Sequence, residues 1–274
     1  MIFLSIIASM LLSGSLSGGL AGSHDNMEEA QTNIVWHWED YFTSTEQQKI
    51  ENWLQRVTEA VDETLGAYPF DVHYHIYRRN ESREPVPWAN TRRHSLQGVN
   101  FHIDPTYSLQ EFLDDWTAPH EISHLSIPYL GRSYAWFAEG YASFMQYQIM
   151  ETLGIYTTDQ VIDKYAGRMD RIKPYYDRNQ DFVTVAKELQ SRNRYSDMYW
   201  GGASFFLRLN ESLGEKYGIS LTQLMHEYLA CCRMSDGTFE EVIASWDRIL
   251  GGSACSDLLH SYTTKPSSEL FEGM

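Results

Sequence analysis

Basic residues and cysteines are scarce in this chain of 274 residues. It has 37 Asp and Glu but only 21 Lys and Arg, so its formal net charge is −16, and the first Lys or Arg is Lys49. Because a nucleic-acid-binding protein needs a basic face to neutralise phosphates, this balance argues against a nucleic-acid partner. The apolar run near the N-terminus, Ile2 to Leu12, is too short to predict a membrane-spanning helix.

The N-terminal segment has the length and composition of a secretory signal peptide, without the usual basic residues at its start. Small residues follow the apolar run and allow cleavage near Ala21 or Gly22. We therefore expect a signal peptide over residues 1–22, a polar linker over 23–32, and export to the periplasm or the extracellular space without stable membrane insertion after cleavage. An uncleaved anchor and a truncated or misassigned start are the alternatives. No Cys lies directly after the run, where a lipoprotein anchor would need one, which excludes such an anchor.

The three cysteines are the adjacent pair Cys231-Cys232 and Cys255. No C-x-x-C motif is present, and none of the three lies near the metal-binding motif described below. In an exported protein, one residue of the pair could form a disulfide with Cys255. Three buried thiols in the C-terminal helices are the alternative.

The rest of the sequence combines strand and helix patterns in two successive parts. Hydrophobic residues make up 43% of the chain, which is enough for a sizeable core. Strands are predicted over 34–39, 70–77 and 98–103, and a capping box of Ser44 and Gln47 starts a helix that ends at Gly66. Helices are predicted from Ser108, from about Thr117 ahead of Pro119, and over 134–153, 199–213 and 221–232. We predict an α+β fold over 33–274, with an α/β lobe (33–107), a helical lobe (108–274) and a cleft between them.

The motif His120-Glu121-Ile122-Ser123-His124 is the most informative feature of the sequence. Residues four apart lie on one face of a helix, so His120 and His124 can bind one metal ion together. Glu121 is then turned toward a water molecule at the metal, where it can act as a general base. A solvated helix whose His and Glu face water is the alternative.

The segment Trp136-Phe137-Ala138-Glu139-Gly140-Tyr141 supplies a third ligand, Glu139. An unpaired carboxylate among so many aromatic residues would be costly, which argues that Glu139 has a partner. Gly140 leaves room for another backbone to approach closely. Three protein ligands leave one position of a tetrahedral zinc ion open, as in catalytic sites. The sequence therefore predicts one Zn²⁺ ion bound by His120, His124 and Glu139.

Together these two segments resemble the motifs of the gluzincin zinc metallopeptidases, in particular the peptidase MA-like group. That group places its zinc-binding Glu in a W-[aromatic or Leu]-x-E-G-[aromatic or Leu]-A segment, a logic shared more distantly by the membrane alanyl and glycyl aminopeptidases. The resemblance implies a thermolysin-like catalytic domain with zinc in the cleft between its two lobes. It also implies zinc-dependent hydrolysis of peptide bonds, in which Glu121 activates a zinc water that attacks the scissile carbonyl.

The resemblance implies roles for residues outside the two motifs. Tyr199 stands in a Tyr-Trp-Gly-Gly segment similar to the Y-x-K-G segment whose Tyr stabilises the oxyanion, although Gly201 replaces the Lys. Tyr195, four residues earlier, is a candidate substrate-binding residue. Gluzincins place an edge strand ahead of the zinc motif, and segment 98–103 has that position, with Asn100 as its candidate for substrate binding. The aminopeptidases carry an amine-binding Glu there and this chain does not, so exopeptidase specificity is not implied.

A peptide or protein is the expected substrate, and two alternatives stay open. One is a zinc-containing module with weak catalysis that binds a peptide or protein in its cleft. It is favoured by the missing amine-binding Glu and by Gly201. The other is a hydrolase of a non-peptide substrate. No oligomeric state is predicted.

Overall fold

The structure is a computed structural model that describes residues 31–93 and 96–272. The predicted signal peptide and residues 23–30 of the predicted linker lie outside the described residues. Thr32, at the end of that linker, is buried, and its Oγ1 donates to Asp62 Oδ1 at 2.5 Å. In the part of the chain that the structure describes, no helix is both long enough and apolar enough to cross a membrane.

A four-stranded sheet with one helix packed on it occupies the N-terminal part of the described chain. Strands β1 and β2 and strands β2 and β4 pair in parallel, whereas β3 is antiparallel to β4. Helix α1 provides the crossover that the parallel pair β1 and β2 requires, and Trp53 on it packs against Phe101 with ring centroids 5.6 Å apart. The bounds are β1 Ile34–Trp38, α1 Ser44–Leu65, β2 Val72–Arg78, β3 Trp88–Arg93 and β4 Gln97–Ile103.

One edge of the sheet is formed by β3, a strand that the sequence did not predict. The strand order is β1-β2-β4-β3, so β4 pairs on both sides and the prediction that segment 98–103 is an edge strand is wrong. The polar run Asn90, Thr91 and Arg92 deprives β3 of the apolar alternation that reveals a strand.

The first residues of α1 use a different capping pair from the predicted one. Thr43 is the N-cap, and the Glu46 carboxylate accepts a hydrogen bond from Thr43 N at 2.8 Å. The predicted pair, Ser44 and Gln47, has the same spacing one residue later. A carboxylate is the stronger acceptor, which favours the pair that contains Glu46. Gly66 ends the helix with a φ of 92°, as predicted.

Ten α-helices follow the sheet in the described residues. As predicted, a capping box of Ser108 and Glu111 precedes the first of them, and the second begins at Thr117. The described chain is therefore a small N-terminal sheet followed by a mainly helical body. The helices are α2 Leu109–Asp114, α3 Thr117–Ser123, α4 Ala135–Thr152, α5 Thr158–Tyr176, α6 Phe182–Ser191, α7 Tyr195–Tyr217, α8 Leu221–Cys231, α9 Phe239–Leu250, α10 Ala254–Thr264 and α11 Ser267–Leu270.

Helix α7 is longer at both ends than the predicted helix 199–213. It continues through Gly214 and ends at Gly218, which adopts the left-handed conformation with a φ of 68°. A single glycine inside a helix costs only about 1 kcal/mol relative to alanine, which is too little to end it. The left-handed C-cap at Gly218 ends it instead.

Helices α4 and α7 cross with their backbones in close contact. A Cβ atom on Gly202 would overlap the carbonyl oxygen of Trp136, and one on Gly140 would overlap the backbone of Gly202. The expectation of a close backbone approach at Gly140 is thus confirmed. The crossing holds α4, which carries Glu139, at a fixed distance from α7, which carries Tyr199.

We expect Gly202→Ala to lower the free energy of unfolding by about 3 kcal/mol, since the added methyl group meets backbone that cannot move aside. Equilibrium denaturation would measure the change. Gly214→Ala is the matched control because it lies on the same helix with open space around its Cβ position. This control should be neutral or more stable by up to about 1 kcal/mol. Equal stability of the two variants would contradict the close crossing.

The cysteines pair differently from either expectation. Cys231 and Cys232 are joined to each other by a disulfide, and Cys255 is a free, buried thiol. The predicted bridge between the pair and Cys255 is therefore wrong. Burial and the nearby Asp247 carboxylate raise the pKa of the Cys255 thiol, so it stays protonated.

Candidate metal centre

His120 and His124 lie on one short helical segment. Helix α3 ends at Ser123 and a 3₁₀ turn follows, but the backbone at His124 is still right-handed helical, with φ −55° and ψ −27°. The four-residue spacing therefore places both imidazoles on one face. Both side chains are buried, and their ring centroids lie 4.9 Å apart.

Two long-range hydrogen bonds fix this segment in place. The hydroxyl of Tyr68, which follows α1, donates to the carbonyl of Ile122 at 2.7 Å. Arg233 Nε, which follows α8, donates to the carbonyl of Leu125 at 2.9 Å. Residues distant in sequence thus hold the backbone on which the two imidazoles stand.

Glu139 on α4 meets the two imidazoles. Its Oε2 lies 3.3 Å from His120 Nε2 and 3.5 Å from His124 Nε2. Within residues 31–93 and 96–272, these three form the only group of at least three His, Cys, Asp or Glu side chains whose ligand atoms converge closely enough for a metal ion. Around a tetrahedral zinc ion, with ligands about 2.0–2.1 Å from the metal, donor atoms lie about 3.3–3.4 Å apart. The distances from both imidazole nitrogens to the Glu139 oxygen therefore fit zinc.

The other nitrogen of His120 has a hydrogen-bond partner that the sequence analysis missed. His120 Nδ1 lies 3.0 Å from Gln146 Oε1, and both side chains are buried. Since the amide oxygen accepts, Nδ1 donates a proton to it, and Nε2 is the nitrogen that lies next to Glu139 and could bind a metal ion. Gln146 follows Glu139 by seven residues, or two helical turns, and that spacing was the available signal.

Burial and mutual charge set the protonation of this group when no metal is bound. Burial alone would raise the pKa of Glu139, but the neighbouring imidazoles, His124 first, lower it well below its usual range. Burial lowers the pKa of His124 to about 4. Burial also opposes a proton on His120, but the hydrogen bond and the charge of Glu139, together with the charge of Glu121, outweigh this and raise the pKa of that imidazole. Binding of zinc would displace this proton.

Glu121 lies next to the three ligands and lines the same cavity. Burial raises the pKa of its carboxyl to about 7, although the charges of His120 and Arg93 lower it in part. A carboxylate whose pKa lies near neutrality can both accept a proton and return it. The role of Glu121 as a general base stays a prediction.

A cavity of about 590 Å³ opens in front of these residues. Four exposed aromatic side chains line it, namely Trp88 (57% exposed), Trp116 (49%), Tyr129 (63%) and Tyr195 (44%). Large exposed aromatic rings grouped around one cavity are unusual on a protein surface and indicate a binding site. Trp88 was missed because β3 was missed, and Trp116, the N-cap of α3, has no pattern in the sequence that marks a cavity residue.

Both tyrosines that were predicted for the site line the cavity. The ring centroid of Tyr199 lies 6.3 Å from that of His120, and burial followed by the charge of Glu139 raises the pKa of its phenol. The phenol therefore keeps its proton and can donate it to a hydrogen bond. Tyr195 lies one turn earlier on α7, and its hydroxyl donates to Asn193 Oδ1 at 3.0 Å.

Asn100, the third predicted substrate-binding residue, is not among the residues that line the cavity. It lies on the internal strand β4, and its Nδ2 donates to Asn90 Oδ1 on β3 at 3.4 Å. Because β3 forms the edge, residues of β3 occupy the place that the sequence analysis gave to Asn100.

The departure of Gly201 from the Y-x-K-G pattern has a packing cause. A Cβ atom at Gly201 would overlap the phenol of Tyr176. That ring is buried and stacks on Phe182, with centroids 4.9 Å apart. No side chain, and in particular no lysine, fits at this position.

The fold, with its group of two His and one Glu that could hold a metal ion, distantly resembles that of a class of proteins, the zinc metallopeptidases. No protein-family model and no curated protein matches its sequence. Among solved structures, it is similar to an M1 zinc metallopeptidase from Deinococcus radiodurans, with 12% identity and a TM-score of 0.51 over 84% of this chain and 47% of that one. It is also similar to a two-domain M1 zinc metallopeptidase mutant bound to L-arginine, with 13% identity and a TM-score of 0.53 over 89% of this chain and 51% of that one.

The chain spans about half the length of these two structures. At such low identity the likeness concerns the fold. The expected distant resemblance to zinc metallopeptidases is confirmed. So is the arrangement of a small sheet followed by a mainly helical body.

Proposed function

We propose that this chain is a zinc-dependent hydrolase of peptide bonds that binds one Zn²⁺ ion through His120, His124 and Glu139. The observation that carries the proposal is the convergence of two imidazole nitrogens on one carboxylate oxygen, at 3.3 and 3.5 Å, beside Glu121 in the same cavity. Three-ligand sites of this kind leave one metal position open for water or substrate. A thermolysin-like arrangement, with the metal between the sheet lobe and the helical lobe, is part of the proposal.

The roles of the side chains follow from their positions. Bound zinc would supply Lewis acidity, polarising the scissile carbonyl and making a water molecule more acidic. The Glu121 carboxylate accepts the proton of the attacking water and later donates it to the leaving amine nitrogen. The Tyr199 hydroxyl donates to the oxygen of the scissile carbonyl as negative charge develops on it. The outer edge of β3 pairs with an extended substrate backbone.

The cavity also favours a peptide substrate with apolar side chains. Its aromatic residues Trp88, Trp116, Tyr129 and Tyr195 offer flat apolar surfaces near the candidate metal ligands. Aromatic rings bind such side chains through large buried areas with little loss of conformational entropy. Export, predicted from the N-terminal segment, would place this activity outside the cytoplasm.

The second candidate is a zinc-containing module that binds a peptide and hydrolyses it weakly or not at all. Gly201 favours it, since the position where the aminopeptidases have Lys cannot hold a side chain here. The same cavity and the same metal would then serve binding alone. Measured turnover of a peptide distinguishes the hydrolase from the binding module.

Metal analysis and cleavage of a mixed peptide library by the purified protein test the proposal. We expect one zinc ion per chain, new peptide termini identified by mass spectrometry, loss of cleavage with a chelator and recovery with Zn²⁺. His260→Ala is a matched control because His260 is exposed and outside the cavity, so this variant should behave like the wild type. Bound zinc without cleavage would favour the binding module, and a protein that binds no zinc would contradict both functions.

A further inference from the structure

Arg93 brings a positive charge into the cavity that contains the candidate metal ligands. It is the last residue of edge strand β3 and lines the cavity together with Glu121 and Glu139. Its neighbour Arg92 points to the opposite face of the sheet, where its Nη1 donates to Asn100 Oδ1 at 3.5 Å. Strand alternation thus gives two adjacent arginines different surroundings.

The guanidinium of Arg93 has few partners among the described residues. Its Nη1 donates to the carbonyl of Pro128 at 3.3 Å, while its Nε is buried and has no hydrogen-bond partner. No described carboxylate forms an ion pair with it. Burial lowers the pKa of Arg93 to about 10, with Glu121 and Glu139 opposing the shift, so it remains a cation at neutral pH. A cation with unused, partly buried donors calls for an acceptor from a ligand.

A carboxylate is the ligand group that suits this cation. The planar fork of a guanidinium forms two parallel hydrogen bonds with a carboxylate. An extended peptide paired with the edge of β3 would run past Arg93, within reach of such a group. The net charge of −16 does not prevent this approach, because repulsion from distant acidic residues is screened beyond about 8 Å at physiological ionic strength.

We propose that Arg93 determines the specificity of the cavity by binding a carboxylate of the substrate, so that peptides with a carboxylate near the scissile bond are preferred. The inference rests on the proposed function, because it names the substrate class of the same cavity. The carboxylate belongs either to the C-terminus of the peptide or to an Asp or Glu side chain. Recognition of an anion fits a chain that lacks the amine-binding Glu of the aminopeptidases.

Three N-acetylated peptides with one apolar core sequence test this proposal on the zinc-loaded full chain. One ends in a free carboxylate, one in an amide, and one in an amide with a single Glu placed in the core. We expect kcat/KM to be about tenfold higher or more on at least one carboxylate peptide than on the neutral amide. Preference for the free acid identifies the C-terminus as the source, and preference for the Glu peptide identifies a side chain.

Arg93→Gln should bring this ratio to within about threefold of unity, chiefly through a higher KM for the carboxylate peptides. Arg93→Lys should give an intermediate ratio, since it keeps the charge and loses the planar fork. Arg92→Gln is the matched control and should leave the ratio unchanged. Zinc content and thermal unfolding of each variant show whether its fold is intact.

The absence of a carboxylate preference in the wild type would overturn the proposal, as would a preference that survives Arg93→Gln. Equal losses on all three peptides would assign Arg93 a structural role and overturn it as well. If no peptide is cleaved, the proposed function fails separately. The binding of the same peptides, measured by calorimetry, then tests the role of Arg93. The proposal requires that a carboxylate peptide binds with a Kd at least about tenfold lower than the neutral amide, and that Arg93→Gln removes this difference.

Discussion

Glu121→Gln should bind zinc as the wild type does and lose about 10³-fold in kcat on a cleaved peptide. The amide has nearly the size and shape of the carboxylate, so the cavity and the three ligands stay in place. It cannot accept a proton from the attacking water, and the reaction loses its base. Zinc stoichiometry by elemental analysis and kcat from initial rates are the two measurements.

Glu215→Gln is the matched control, since Glu215 is an exposed residue near the far end of α7 and should tolerate the same change without effect. The pH dependence of kcat provides a second test of the role of Glu121. Burial raises the pKa of Glu121 to about 7 in the metal-free site, and bound Zn²⁺ would lower it from there. Because the base acts in its deprotonated form, kcat of the wild type should fall as pH decreases through the pKa that this carboxyl has in the zinc-loaded enzyme. A Glu121→Gln variant with full activity and an unchanged acidic limb would remove Glu121 from the mechanism.

The parts of the site that could be predicted from the sequence depend on local spacing. His120 and His124 are one helical turn apart, so their position on one face follows from helix geometry alone. Glu139 could be predicted as the third ligand because the aromatic residues around it in the sequence offer a carboxylate few other partners. Likewise, Thr117 could be predicted as a helix start because Pro119 cannot lie deep inside a helix.

The parts that were missed depend on contacts between residues distant in sequence. Arg93 enters the cavity through the pairing of β3 with β4, and the polar sequence of β3 carries no strand signal of its own. Trp116 lies between α2 and α3, and only the folded structure shows that it lines the cavity. The disulfide between Cys231 and Cys232 likewise could not be chosen over a bridge to Cys255 without the distances between their sulfur atoms.

The edge strand was also misplaced because its position depends on contacts between residues distant in sequence. Segment 98–103 has the apolar alternation of a strand and lies ahead of the zinc motif, which made it the apparent edge. The apolar alternation comes instead from burial inside the sheet, since Val99 and Phe101 are fully buried. A strand whose apolar residues are this well covered more often lies inside a sheet, whereas polar edge strands escape detection.

Glu139→Ala should lose zinc and activity together, which distinguishes a metal ligand from a base. With only His120 and His124 left, the affinity for Zn²⁺ should fall by about 10³-fold or more, because a charged ligand is removed outright. Competition with a chromophoric chelator would measure the affinity, and added Zn²⁺ should restore little activity. Glu151→Ala on the same helix is the matched control, since Glu151 lies three turns away and accepts a hydrogen bond from Thr158.

The metal-free form of Glu139→Ala provides an independent test of the contact between Glu139 and His120. In the wild type burial lowers the pKa of His120, but the hydrogen bond and the charge of Glu139, with a smaller contribution from Glu121, outweigh it and raise this pKa. Without that carboxylate burial dominates, so the pKa of the imidazole should drop below its ordinary value and the ring should be neutral at pH 7. Titration of the imidazole by NMR would show this. A Glu139→Ala variant that keeps both its zinc and a protonated His120 at neutral pH would place the third ligand elsewhere in the cavity.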